Sequence, residues 1–261
     1  MTLPKRLGFI GTGTITAHIV RGLKASGLSD WPIVLSPRNA ETAQALATSL
    51  PGVEIARDNQ EVLDRADVVI LALRPQVAED LLRPLRFKPD TPIISLMATL
   101  HSDTLRAWTG ATEICRAIPL PFVERRQDVI PVFPPHPDAM TVFGALGRAL
   151  PVADLAAFDA YATASALMAT YFGIIENAAD WMQTQSISQG DAAFYLGALF
   201  SNLSTTLVQS PLPMTALRDA HSTPGGLNEQ LHRVFVDQGG QDALRAGLQS
   251  VLARVKAAGA V

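Results

Sequence analysis

The stretch Leu7-Gly8-Phe9-Ile10-Gly11-Thr12-Gly13-Thr14-Ile15-Thr16 decides how this chain is read. An apolar run ends in two glycines, and a helical pattern, His18-Ile19-Val20-Arg21-Gly22-Leu23, follows at once. Gly11 suits a tight turn after a strand. Gly13 has no Cβ, so the backbone there can approach a ligand closely. A helix opening at Thr14 and Ile15 turns free N–H groups and the positive end of its dipole toward that ligand, and a pyrophosphate fits. Thr16 stands where the third glycine of the fingerprint is expected. The stretch reads as the front of a dinucleotide-binding βαβ unit.

Reading outward, Thr14 to Ser26 is expected to be a helix stopped by Gly27, and Ile33-Val34-Leu35 a second strand. A site that prefers NADH closes this strand with an acid that holds the ribose 2′-hydroxyl. Here the chain reads Ser36-Pro37-Arg38-Asn39. The Ser36 hydroxyl and the Arg38 guanidinium suit a 2′-phosphate, so NADPH is the expected cofactor. Asp67-Val68-Val69-Ile70-Leu71-Ala72-Leu73 is a continuous apolar run after one acid, as a parallel strand buried on both faces requires. It ends in Arg74-Pro75-Gln76, and ligands sit beyond the carboxyl ends of such strands, so Leu73, Arg74 and Pro75 join the expected cofactor site. Further strands are expected at 53–55, 92–97, 113–117 and 128–133, with helices between them, among them Asn59 to Arg65 with Asn59 as its candidate cap, and one from Met140 to Leu150.

The pattern changes near Leu150-Pro151-Val152-Ala153, where strands stop. Residues 1–154 are read as an α/β Rossmann-like domain with a mainly parallel sheet, and 155–261 as an all-α domain. Phe158 to about Met182 is expected to be one alanine-rich helix, Ser188 caps a second, and Met214 to Ala220 forms a third. Then comes Ser222-Thr223-Pro224-Gly225-Gly226-Leu227-Asn228, a turn that opens a helix and groups backbone N–H donors, a natural carboxylate or phosphate site. Gly239-Gly240 ends that helix, and the last runs from Gln241 to Ala258.

Of the 261 residues, 48% are apolar and the net charge is −3, with no basic cluster, which argues against nucleic acid as a partner. Cys115 is the only cysteine, so no internal disulfide forms and a reducing, cytoplasmic setting fits. The N-terminus shows no secretory leader, and the apolar stretch Ala160 to Ile175 is short for a membrane span. No metal-ligand pattern is read.

In order and at suitable spacing, Gly8-Phe9-Ile10-Gly11-Thr12-Gly13, Asp67 through Gln76 and Thr223-Pro224-Gly225-Gly226 resemble the pyrroline-5-carboxylate reductase family. The resemblance covers nearly the whole chain. It implies an N-terminal domain that binds NADPH and a helical C-terminal domain that forms a homodimer, with the substrate site across it. It implies reduction of a cyclic imine, pyrroline-5-carboxylate, to proline. On this reading the N–H groups of Gly225 and Gly226 anchor the substrate carboxylate, assisted by the Thr223 hydroxyl, and Ser165 adds a polar contact. Asn228 stands where the family carries a threonine donor; it donates a hydrogen bond, whereas His221 nearby is able to give up a proton near neutral pH. Two further segments differ: Ile118-Pro119-Leu120-Pro121 replaces Met-Pro-Asn-Thr-Pro, and Ala162 to Leu167 only loosely matches the family's Ser-Gly-Ser-Gly-Pro-Ala. These departures leave two other readings open, an NADPH-dependent reductase of a different imine or a carbonyl, and an NADPH-binding regulatory protein without turnover.

Overall fold

The structure is a computed structural model that describes residues 4–257. The described residues fall into two compact units, one of 4–165 together with 252–257, the other of Ala166–Val251.

The first unit is built on one eight-stranded sheet of order β3-β2-β1-β4-β5-β6-β7-β8. The strands are β1 Leu7–Ile10, β2 Ile33–Leu35, β3 Val53–Ile55, β4 Val68–Leu71, β5 Ile93–Ser95, β6 Ile114–Ala117, β7 Asp128–Phe133 and β8 Gly147–Pro151. Pairings are parallel except β6 with β7. Helices α1 Thr14–Lys24, α2 Ala40–Ser49, α3 Asn59–Arg65, α4 Pro75–Leu82, α5 Ser102–Thr109, α6 Pro137–Gly144 and α7 Leu155–Ala164 follow the strands.

Period-two alternation gives this sheet two cores. Leu7, Phe9, Val68 and Ile70 point into one, packed with Ile19, Val20, Leu23 and Phe143. Ile10, Val69 and Leu71 point into the other, packed with Val62, Ala78, Leu82 and Leu105. A sheet covered on both faces needs strands that are apolar at every position, and β4 is buried throughout.

The second unit is helical: α8 Leu167–Thr184, α9 Gln189–Gln209, α10 Met214–Ala220, α11 Leu227–Asp237 and the start of α12 Gly240–Ala257. Ser188 caps α9, accepting from the Asp191 N–H at 3.1 Å while its hydroxyl donates to the Asp191 carboxylate. No helix among the described residues is long and apolar enough to cross a membrane.

Three element expectations are corrected. Residues 140–150 are not one helix: α6 ends at Gly144 and β8 begins at Gly147, whose φ of +146° and close approach to the Asp128 backbone exclude a side chain. The helix expected from Phe158 to Met182 is two, because the chain tightens at Ser165, whose hydroxyl donates to the Ala162 carbonyl at 2.7 Å. The cap of α3 is Asp58, which accepts from the Glu61 N–H, and not Asn59. The division between the units follows Ser165, at the break between α7 and α8. Ala258, the expected end of the last helix, lies outside the described residues.

Candidate functional site

The first unit holds a cleft of about 330 Å³ beyond the carboxyl ends of β1 and β4, lined by Gly11, Thr12, Gly13, Arg38, Asn39, Ala72, Leu73, Arg74 and Val77. The floor is the turn after β1. Gly11 has φ +100°, and a Cβ there would lie 2.3 Å from the Ala72 carbonyl oxygen, so the turn tolerates no side chain. Gly13 differs: a Cβ built on it meets nothing within 4 Å. Its bareness serves no packing of the protein itself and leaves room at the start of α1.

That helix start has no side-chain cap, and neither does α4, which opens at Pro75 behind Arg74. Two helices thus begin at this cleft with no side-chain cap, and Arg38 and Arg74 line the same space without a carboxylate among the lining residues. The local field favours an anion with several oxygens. Bare Gly13, two uncapped helix starts and two guanidiniums fit the diphosphate and 2′-phosphate of NADPH.

The cleft therefore brings together Gly11, Gly13, Arg38, Leu73 and Arg74 of the expected residues. Thr14 is exposed in the first turn of α1, while Ile15 packs against the core and Pro75 occupies the first helical position of α4. Ser36 is buried, its oxygen accepts from the Gly11 N–H at 2.9 Å, and it lies 3.1 Å from the Thr12 hydroxyl, which donates to the Ser36 carbonyl at 2.8 Å. Ser36 thus clips β2 to the glycine turn from below, and Arg38 is the member of the pair that lines the cleft. Sequence reasoning missed Thr12 as the other half of this clip. It also missed Asn39, held at φ +63°, whose amide donates to the Thr12 carbonyl at 3.1 Å. The Thr16 hydroxyl donates to the Gly11 carbonyl at 2.7 Å, doing with a hydrogen bond what a third glycine does by close packing.

In the second unit the turn at 221–228 forms as expected, with Gly225 at φ +73° and α11 starting after Gly226. Its donors, however, are turned inward. The Gly225 N–H donates to a Glu229 carboxylate oxygen at 2.6 Å, and the Gly226 N–H donates to the Thr223 carbonyl at 2.8 Å. The Asn228 amide donates to the His221 carbonyl at 2.7 Å, and His221 Nδ1 lies 2.8 Å from the Leu217 carbonyl, which makes Nδ1 the protonated nitrogen. The expected free carboxylate nest is thus filled by the chain's own carboxylate. Glu229 was missed, although an acid in the first turn of a helix is the usual sign of such a cap. Thr223 is exposed at this turn, and Ser165, in the first unit, spends its hydroxyl on Ala162.

Two buried groups of the first unit titrate far from their usual range. Burial pushes the Cys115 thiol up to about 12, which makes it inert. Burial pulls the Arg116 guanidinium down to about 10 against the attraction of Asp159, so it stays charged at neutral pH.

A family model described as NADP oxidoreductase, coenzyme F420-dependent, matches residues 6–99. A pyrroline-5-carboxylate reductase of Pseudomonas aeruginosa is 25% identical over 260 residues, covering 95% of this chain and 95% of that protein. The structure of a 1-pyrroline-5-carboxylate reductase from Streptococcus pyogenes superposes with a TM-score of 0.86 at 21% identity, over 98% of this chain and 100% of the other. That of a Plasmodium falciparum pyrroline carboxylate reductase with NADP bound superposes with a TM-score of 0.83 at 15% identity, over 98% of each chain.

Proposed function

We propose that this chain, a member of the pyrroline-5-carboxylate reductase family by its match over nearly its whole length, reduces a cyclic imine carboxylate with NADPH, the substrate being pyrroline-5-carboxylate and the product proline. The observation that carries the reading is the cleft at the carboxyl ends of β1 and β4, which bare Gly13, two uncapped helix starts, Arg38 and Arg74 share. When bound, NADPH supplies the hydride that adds to the carbon of the C=N bond. The first turns of α1 and α4 hold the diphosphate, and Arg38 holds the 2′-phosphate.

The substrate carboxylate is taken by the turn at Thr223–Gly226, where the Gly225 N–H is released by Glu229 and the Thr223 hydroxyl assists. An imine accepts hydride when its nitrogen is protonated, so the site needs a donor there. His221 and Asn228 sit on the same turn and are the candidates, with Ser165 a lesser polar contact. The helical unit is proposed to form a homodimer, because Phe172, Trp181, Phe194, Tyr195 and Leu231 all stand at least 60% exposed on it.

One observation favours a second reading. A carboxylate of the chain already occupies the Gly225 N–H, as it would if the natural substrate were an imine without that group. A single comparison tests both: NADPH oxidation with pyrroline-5-carboxylate, pyrroline-2-carboxylate, piperideine carboxylates and unsubstituted 1-pyrroline side by side. The first reading expects pyrroline-5-carboxylate to give the highest kcat/KM, the second 1-pyrroline. Tight NADPH binding without oxidation by any of them would overturn both.

A further inference from the structure

Arg116 is 1% exposed on β6, and only part of its guanidinium is bonded. Nη2 donates to the Ala98 carbonyl at 2.5 Å, and Cζ stacks 4.6 Å from the Phe158 ring centre. Nε and Nη1 have no hydrogen-bond partner in the protein, nor does Oδ1 of Asp159, which is 3% exposed on α7. Asp159 is near enough to act on the guanidinium through its charge. Buried charged groups are rarely left in this state, and unpaired donors with an unpaired acceptor in the same region are the usual surroundings of a structural water.

The position of this cluster gives it meaning. If Arg38 at the end of β2 marks the adenosine side of the cofactor, the nicotinamide half lies on the other side of the β1–β4 switch point, over the ends of β4, β5 and β6. Ala98 belongs to the segment 96–101 that leaves β5 there, and Arg116 fastens its carbonyl from β6.

We propose that Arg116 is a positioning residue of the reduction. It fixes segment 96–101 beneath the nicotinamide, and its two unpaired nitrogens, Nε and Nη1, share one buried water with Asp159, so that α7 holds the guanidinium in register. The inference rests on the reading that this chain reduces an imine with NADPH.

The test uses the full-length enzyme and the variants Arg116→Lys, Arg116→Met and Asp159→Asn. Lysine keeps the charge but cannot bond Ala98 and the water together. A misplaced nicotinamide predicts kcat lower by about 10- to 100-fold in both Arg116 variants, a larger isotope effect with 4-deuterated NADPH, and an NADPH Kd within about threefold of the original. Asp159→Asn keeps a polar partner and is expected to show a smaller loss of the same kind. Folded Arg116→Lys with kcat within about twofold of the parent would overturn the proposal, whatever its Tm. If Arg116→Met fails to fold, Arg116→Lys alone decides.

Should the parent enzyme turn over no imine, the functional reading fails, and hydrogen exchange with NADPH bound then decides this one. Arg116→Lys is expected to raise exchange at 97–101 and to leave the glycine turn at 11–16 unchanged. Equal change in both segments, or in neither, would overturn it.

Discussion

Every residue of β1, β2, β4, β5 and β6 is buried, whereas α8, α10 and α11 contain no buried residue. The sheet unit satisfies its apolar side chains within itself. The helical unit does not, and Phe194 stands 82% exposed and Leu227 84% exposed on it. The contrast teaches that the two halves face different selective tasks. The first buries its apolar side chains, and the second leaves large aromatic and aliphatic groups open, the pattern on which the proposed homodimer rests.

The hardest blow to this contrast is a charge on the helical face. Phe172→Glu with Phe194→Glu is expected to give a monomer in sedimentation and to cut activity by about 100-fold or more at micromolar enzyme, since two large aromatic anchors are lost together. The sheet unit should be indifferent, with NADPH binding to the monomer unchanged. A parent protein that is already a monomer would remove the basis of the comparison.

Within the sheet unit, Gly11 and Gly13 separate folding from binding. Gly11→Ala drives a Cβ against the Ala72 carbonyl at a positive φ, so loss of the fold or a large drop in Tm is expected. Gly13→Val meets open space and is expected to hold Tm within about 4 °C while weakening NADPH by about 100-fold, seen by fluorescence titration. Equal damage to Tm from both would mean that Gly13 serves packing after all.

Arg38→Ala asks less of the molecule. Arg38 is exposed at the cleft, so its loss is expected to leave Tm unchanged and to weaken NADPH by about 10- to 100-fold, the worth of a charge-assisted bond to phosphate, while sparing NADH. Equal loss for both cofactors would place Arg38 on the diphosphate instead.

What the sequence made legible follows the same division. The β1 turn and β4 were readable because a bare glycine pair and an unbroken apolar run each have few structural solutions. β8 was not, because Gly147-Arg148-Ala149-Leu150-Pro151 is short and lacks β-branched residues, and its strand state is imposed by pairing with β7. The break between α7 and α8 carries no glycine or proline to announce it. The place of Ser36 was not legible, since only three dimensions show its oxygen bonded to the Gly11 N–H and beside the Thr12 hydroxyl. Arg116 gave no signal at all, because nothing in a chain of letters says that an arginine is buried with two donors spare.

The smallest expected effect concerns the turn where the helical unit closes on itself. Glu229 lies in the first turn of α11, and its carboxylate takes the Gly225 N–H that the proposed substrate needs. If the contact is an internal competitor, Glu229→Ala frees the N–H, and KM for the imine carboxylate falls by about three- to tenfold, the worth of one exposed hydrogen bond to a charge, with kcat and the KM for NADPH unchanged. An imine without a carboxylate should not notice the change. If the contact is only a cap, the variant loses a little helix stability and KM stays put or rises. That result would favour the reading in which Glu229 stands permanently where the relatives' substrate carboxylate is expected, and this enzyme reduces a neutral ring.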